Sequence, residues 1–261
     1  MDMTSGTNYR AVGRISGIIE ALVDSEEPQR LVDLAREIDA PPSSVHLLLG
    51  EMCRVGLVQI SPERRYTPGP ALVSLAFRIV EKNQLIGATE PIMSELMEQT
   101  GEDVYLVFSH ERAVHYAHRV CHERGLRLDI SLGSTRDLHS TAAGQLFLAM
   151  MSPEEREDTM ANLRWTKHTE HTITTPEALL SRLEEVRHRD WAMTDRENHP
   201  GVISVAVPIR ANGPRVVAAL SVSVINNQEP DNVDHVIECA RAAARRLSLE
   251  LGGEKAIASV R

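Results

Sequence analysis

Two adjacent prolines, Pro41 and Pro42, constrain this chain more than any other local feature. They end the stretch Asp39-Ala40-Pro41-Pro42 in a sharp interruption, because proline donates no backbone hydrogen bond and disfavours helix in the residue before it. On both sides the pattern is helical. Upstream, Ile15, Ile18, Ile19 and Leu22 recur at helical spacing, residues 24–28 break that run, and Leu31, Leu34, Ala35 and Ile38 mark a second helix. Downstream, Ser43 or Ser44 is expected to cap a third helix that runs to about Val55 and stops at Gly56. Residues 57–60 and 65–67 then flank a polar turn and read as a hairpin. Helix, helix, turn, helix and hairpin is the order of a winged helix-turn-helix, expected over residues 1–69.

Pro68-Gly69-Pro70 punctuates the chain, and Leu72, Leu75, Ala76, Ile79 and Val80 mark a further helix, read as a linker over residues 70–87. Residues 88–261 mix strands and helices. Helical periods are expected over 92–99, 142–151, from Ser152 onward, from Thr175 to about Arg189, and over 231–251. Strands are expected over 104–109, 114–120, 126–132, 202–209 and 216–225. The class is therefore α+β, with an antiparallel sheet in the larger domain.

Hydrophobic residues make up 42% of the 261, enough for a real core, and with aromatics at only 3% that core must be aliphatic. The start lacks the apolar region of a secretory signal, and no apolar run approaches the roughly 20 residues of a membrane span. Three widely spaced cysteines, Cys53, Cys121 and Cys239, fit reduced thiols better than a disulfide framework. Cytoplasmic residence and no membrane partner are the expectation.

A net charge of −9 argues against a generally basic nucleic-acid coat. Residues 1–70 hold seven arginines and no lysine against ten acids, a net of −3. Five of those acids precede the turn and are expected to face away from DNA. The candidate recognition helix, 43–54, carries Ser43, Ser44, His46 and Leu47 at exposed positions. Hydroxyls and free N–H groups at a helix start bind phosphate, and His46 can reach a base edge or a phosphate. Arg64 and Arg65 on the wing, with Arg14, Arg36 and Arg54 on the helices, complete the expected contact set for double-stranded DNA.

In the second domain residues 139–144 form a stretch of small residues running into a helix. Ser140, Thr141, Ala142 and Ala143 there are expected to offer an anion site of backbone N–H groups. Ser221 and Ser223 alternate on one strand and face the same way, and Ser204 on a neighbouring strand supplies a third hydroxyl. Leu126 and Leu128, with Leu132, are candidate apolar walls. Packing within the sheet is the competing reading of the serines.

Other clusters carry less. His115 and Cys121 face one side of a strand, His118 and His122 the other, so they do not converge on a metal. Residues 165–171 read as a surface loop. Ser140 beside His139 is sequence adjacency without a nucleophile elbow, and no catalytic residue or cofactor is expected. The competing function is a ligand-binding module or enzyme whose helical domain makes protein contacts only.

The chain resembles the IclR family of transcriptional regulators over nearly its whole length. In the first domain the resemblance rests on residues 14–22 and 31–38, on Ser43-Ser44-Val45-His46, and on Gly56-Leu57-Val58 followed by Tyr66-Thr67-Pro68-Gly69. In the second it rests on Leu132-Gly133-Ser134, His139-Ser140-Thr141-Ala142-Ala143-Gly144, residues 197–208, and Ala218-Ala219-Leu220-Ser221-Val222-Ser223. The resemblance implies a sensor domain of GAF/PAS-like fold that binds small organic or aromatic acids. It implies a homodimer, often a dimer of dimers, that controls a catabolic operon, here expected as a repressor. It also places Thr194 and Asp195 near the ligand. The chain departs from the family at Leu47, where Arg commonly follows the His, at Gln145, where Lys is usual, and at Val224, where Gly is usual.

Overall fold

A computed structural model describes residues 5–82, 84–110, 112–121, 128, 130–211, 213–225 and 231–252. The chain forms two units, Met1–Asn83 and Gln84–Arg261.

The first unit runs α1 (Ser5–Asp24), β1 (Gln29–Arg30), α2 (Leu31–Glu37), α3 (Pro42–Arg54), β2 (Val58–Ile60), β3 (Arg65–Pro68) and α4 (Pro70–Lys82). Ile18, Leu22, Leu34, Val45, Leu49, Met52, Val58 and Tyr66 make its core, so one stripe from each of the first three helices meets one face of the hairpin. The turn before α3 is closed by Asp39 in the left-handed region (φ 48°) and by Ala40 N donating to Ala35 O at 2.9 Å. Neither Ser43 nor Ser44 caps α3. Pro41 holds the N-cap position without a side-chain bond and Pro42 enters the first turn, so the helix starts earlier than expected. A proline there lacks one of the N–H groups a cap would satisfy.

Helix α3 ends in a Schellman arrangement: Gly56 at φ 77°, Gly56 N to Cys53 O at 3.1 Å, and Leu57 N to Met52 O at 2.9 Å. β3 pairs with β2 and also with β1, in the register Gln29↔Tyr66 and Arg30↔Arg65. A two-residue strand is too short to show alternation, so sequence reading met β1 only as a break after α1.

The second unit runs α5 (Gln84–Thr100), β4 (Asp103–His110), β5 (Ala113–Val120), β6 (Thr135–Asp137), α6 (Ala142–Met150), α7 (Pro153–Ala161), α8 (Pro176–Arg189), β7 (Ala192–Asp195), β8 (Val202–Arg210), β9 (Val216–Ile225) and α9 (Asp231–Gly252). The strands form one antiparallel sheet in the order β6-β5-β4-β9-β8-β7. On one face Val205, Val207, Leu220 and Val222 pack with Leu96, Val236, Ala240 and Leu247 of α5 and α9. On the other, Ala206, Ala219, Tyr105 and Ala192 pack with Leu146, Phe147, Leu179 and Leu183 of α6 and α8. The central strands are covered on both faces, which is why they read as near-continuous apolar runs.

The expected strand over 126–132 is not formed at the described residues Leu128 and 130–132; the edge strand β6 follows at Thr135–Asp137. Here side chains take the carbonyls that a ladder would have used. Arg119 Nη1 donates to Ile130 O at 2.9 Å, and Tyr105 OH to Leu128 O at 3.3 Å. Among the described residues no helix is long and apolar enough to cross a membrane.

Candidate functional site

The α6–α8 face of the sheet changes character along its strands. Residues two apart share a face, so Ala219 is followed on that face by Ser221 and Ser223, Ala206 is preceded by Ser204, and Ala192 is followed by Thr194. The register then aligns Thr194 with Ser204 and Ser204 with Ser223 in one row across three strands, and Ala206 with Ser221 in the next. The alanines admit α6 and α8 closely. Beyond them a cavity of about 440 Å³, partly open to solvent, lies over the hydroxyl rows. Its walls are Tyr116, Leu128, Ile130 and Val202 on the apolar side, and Arg136, Thr141, Asn198 and His199 on the polar side, with Ala142 at the start of α6.

Helix α6 enters the site by its N-terminus. Thr141 is its N-cap: Oγ1 accepts from Gly144 N at 3.2 Å and donates to Asp137 O at 2.8 Å. That tie leaves the first backbone N–H groups of the helix at the cavity, where their partial positive charge favours an anion. Arg136 is the cation of the lining. Its Nη1 donates to Thr135 O at 2.8 Å, and among the described residues it forms no ion pair. No carboxylate lines the cavity. Burial pushes the Tyr116 phenol up to about 12, against the opposing pull of Arg136, so it stays a neutral group at pH 7.

The wall bearing Asn198 and His199 is held from behind. Glu197, 4% exposed, is gripped by Arg182 Nη1 at 3.1 Å and Gln145 Nε2 at 2.8 Å. Burial raises its pKa while Arg182 and the Gln145 hydrogen bond pull it down. Gln145 Nε2 also donates to His139 O at 2.9 Å, which ties α6 to the strand end.

Of the sequence-expected ligand residues, Leu128, Thr141, Ala142, Thr194, Ser204, Ser221 and Ser223 meet at this cavity. Ser140 does not line it; its Oγ accepts from Asn198 Nδ2 at 2.9 Å and so positions a residue that does. Ala143 packs in the core. Asp195 follows Thr194 on β7, turns to the opposite face, and pairs with Arg196 at 2.9 Å. Leu126 lies outside the described residues, as does His122 of the discounted metal cluster. Among the described residues no group of His, Cys, Asp and Glu could hold a metal ion. Sequence reading missed Tyr116, Ile130, Arg136, Asn198, His199 and Val202. Asn198, His199 and Val202 were within the motif 197–208; nothing marked Arg136, a lone cation on a three-residue strand.

The first unit presents a second candidate surface. Ser43, His46 and Leu47 are exposed on α3, Leu47 at 72%. Arg14 Nη1 donates to Ser44 Oγ at 2.9 Å, linking α1 to the start of α3. Arg36 pairs with Asp33 at 3.4 Å, and Arg54 with Glu51 at 2.7 Å, both as exposed pairs. On the wing the two arginines part. Arg64, at φ 58° in the turn, is exposed, whereas Arg65 folds back and donates to Pro28 O at 3.0 Å.

Comparison with known proteins bears on both surfaces. Residues 11–62 match the family described as IclR helix-turn-helix domain, and residues 77–249 that described as Bacterial transcriptional regulator IclR C-terminal. The chain is 32% identical over 223 residues to the probable transcriptional regulator SauR of Cupriavidus necator, covering 85% of this chain and 88% of that protein. It is 26% identical over 243 residues to the acetate operon repressor of Salmonella typhimurium, covering 91% and 88%. The crystal structure of an IclR homologue from Microbacterium hydrocarbonoxydans, complexed with 4-hydroxybenzoate, superposes with a TM-score of 0.82 at 23% identity over 92% of this chain and 98% of that one.

Proposed function

The chain belongs to the IclR family of transcriptional regulators, and from that premise we propose that the cavity at the start of α6 is the effector site of a ligand-responsive DNA-binding regulator. The observation that carries this reading is the convergence of Thr141, Thr194, Ser204, Ser221 and Ser223 from four elements on one cavity beside Arg136. A cation and a helix start without an opposing carboxylate suit a small organic carboxylate. In our reading residues 1–69 bind operator DNA, 70–87 link, and 88–261 sense. The protein works as a homodimer or dimer of dimers in the cytoplasm, as a repressor of a catabolic operon, and catalyses nothing. The acetate operon repressor among its relatives supports the repressor assignment. For DNA, the expected contacts are Ser43, Ser44, His46 and Leu47 on α3, Arg64 on the wing, and Arg14, Arg36, Arg54 and Arg65 as supporting cations.

The test is a gel shift with the DNA upstream of the protein's own gene. A sequence-specific shift at moderate salt that small carboxylates alter is the expected result. The net charge of −3 over residues 1–70 favours a rival, a helical domain for protein contacts. Absence of any specific shift, with or without carboxylates, would decide for that rival.

A further inference from the structure

The side chains facing this cavity say more about the ligand than its charge. Thr194, Ser221 and Ser223 are 3%, 3% and 5% exposed, and among the described residues none of their hydroxyls bonds a protein group. The hydroxyls of Ser204 and Tyr116, also in the lining, are likewise unbonded by protein. Buried hydroxyls ordinarily find partners within the protein. Here they have been placed side by side where only something in the cavity can bond them. Thr194, Ser204 and Ser223 stand on adjacent strands, about 5 Å apart per step, and Ser221 stands about 7 Å from Ser223 along β9. At roughly 1.5 Å per C–C bond, a chain of about three to six carbons fits along that lattice.

We propose that the ligand is a hydroxylated aliphatic carboxylate, a short hydroxy or sugar-type acid. Its carboxylate sits between Arg136 and the start of α6, and its hydroxyls bond Thr194, Ser204, Ser221 and Ser223. The apolar wall of Tyr116, Leu128, Ile130 and Val202 packs on the C–H side of the same chain. An aromatic acid satisfies Arg136 equally well, but its ring offers the serines and Thr194 no hydrogen bond, so each is left buried and unpaired. The neutral Tyr116 phenol adds a donor beside the carboxylate.

This inference rests on the cavity being the effector site, and its test is kept apart from DNA binding. Calorimetry on the full chain compares glycerate, gluconate, galactonate and tartrate with benzoate, 4-hydroxybenzoate and the uncharged polyol sorbitol. At least one hydroxy acid should bind with a Kd of about 1 mM or tighter, and about tenfold more tightly than benzoate or sorbitol. Ser221→Ala and the isosteric Thr194→Val should each weaken that acid about tenfold. Arg136→Gln should abolish its binding, with the melting temperature of every variant confirming the fold. Tighter binding of benzoate or 4-hydroxybenzoate than of every hydroxy acid overturns the proposal. So does binding of none of the four, or affinity unmoved by Ser221→Ala and Thr194→Val. A specific DNA shift in any of those cases leaves the regulator standing and removes only this ligand class. Hydroxy-acid binding without a DNA shift does the reverse.

Discussion

At Gly144 a Cβ would lie 2.3 Å from the Leu138 carbonyl oxygen and 2.4 Å from its Cα, both backbone atoms with no freedom to give way. Alanine in place of helical glycine gains about 1 kcal/mol of propensity. A contact that close costs about 1–3 kcal/mol or more, so the clash wins. Gly144→Ala should lower stability by at least about 1 kcal/mol, read as a lower urea midpoint, and should pull the start of α6 off the cavity. Glu102 illustrates a charge effect at the same scale. Burial and the neighbouring Asp103 push its carboxyl up to about 7, against a hydrogen bond from the Ile225 N–H. A carboxyl raised on folding adds no penalty below its unfolded pKa near 4.5, then costs stability as pH rises through 7. Glu102→Gln keeps the acceptor and removes the charge. It should stabilise the chain by about 1 kcal/mol at pH 8, after allowance for solvent screening. At pH 4 the gain should vanish, and a gain independent of pH in paired thermal melts would refute this account.

At the scale of elements, residues 162–175 act as a strap rather than the plain surface loop expected from their sequence. Thr172 Oγ1 accepts from His168 N at 3.1 Å and Thr169 N at 2.8 Å, and donates to Glu197 O at 2.6 Å. Thr169 Oγ1 donates to Arg196 O at 2.6 Å, and the His168 ring meets Asp137 Oδ2 at 2.8 Å. The strap thus braces both β6, which carries Arg136, and the turn that carries Asn198. Thr172→Val, which keeps the shape and removes the bonds, should cost about 1–3 kcal/mol. Hydrogen exchange should quicken in residues 166–172 and 196–199 together; protection unchanged at 196–199 would show that the strap braces nothing. This element marks what local reasoning could reach. The capping box of Ser152 and Glu155 and the Thr175 cap were legible because a cap is written within four residues. So was the shared face of Ser221 and Ser223, which needs only strand alternation. The row Thr194–Ser204–Ser223 depends on register between strands, and Arg136 on an edge strand found only by pairing. The bonds of Thr169 and Thr172 reach 25 to 27 residues along the chain. No window of sequence holds those distances.

At the scale of the whole molecule, the charge ledger limits how DNA can be held. A chain of net charge −9 is repelled by a duplex at long range, so its affinity must come from a few placed cations. Arg36 and Arg54 are engaged by Asp33 and Glu51, and Arg65 by the Pro28 carbonyl, which leaves Arg64 at the tip of the wing as the cation best placed for a phosphate. Leu47, exposed where family members commonly carry Arg, contributes no charge of its own. Each phosphate contact made by a cation contributes about 0.9 to the slope of log K against log salt. In the dimer proposed above, two wings act on paired half-sites, so Arg64→Ala should flatten that slope by about 2. Because phosphates carry no sequence, specific and non-specific DNA should weaken in parallel. Arg65→Ala should leave the slope within error and act instead on the stability of the β1–β3 corner. Fluorescence anisotropy across a salt series measures both variants. A slope that falls with Arg65→Ala and not with Arg64→Ala would reverse the assignment of the two wing arginines. A loss of about 1 rather than 2 would mean that a single wing reaches the duplex.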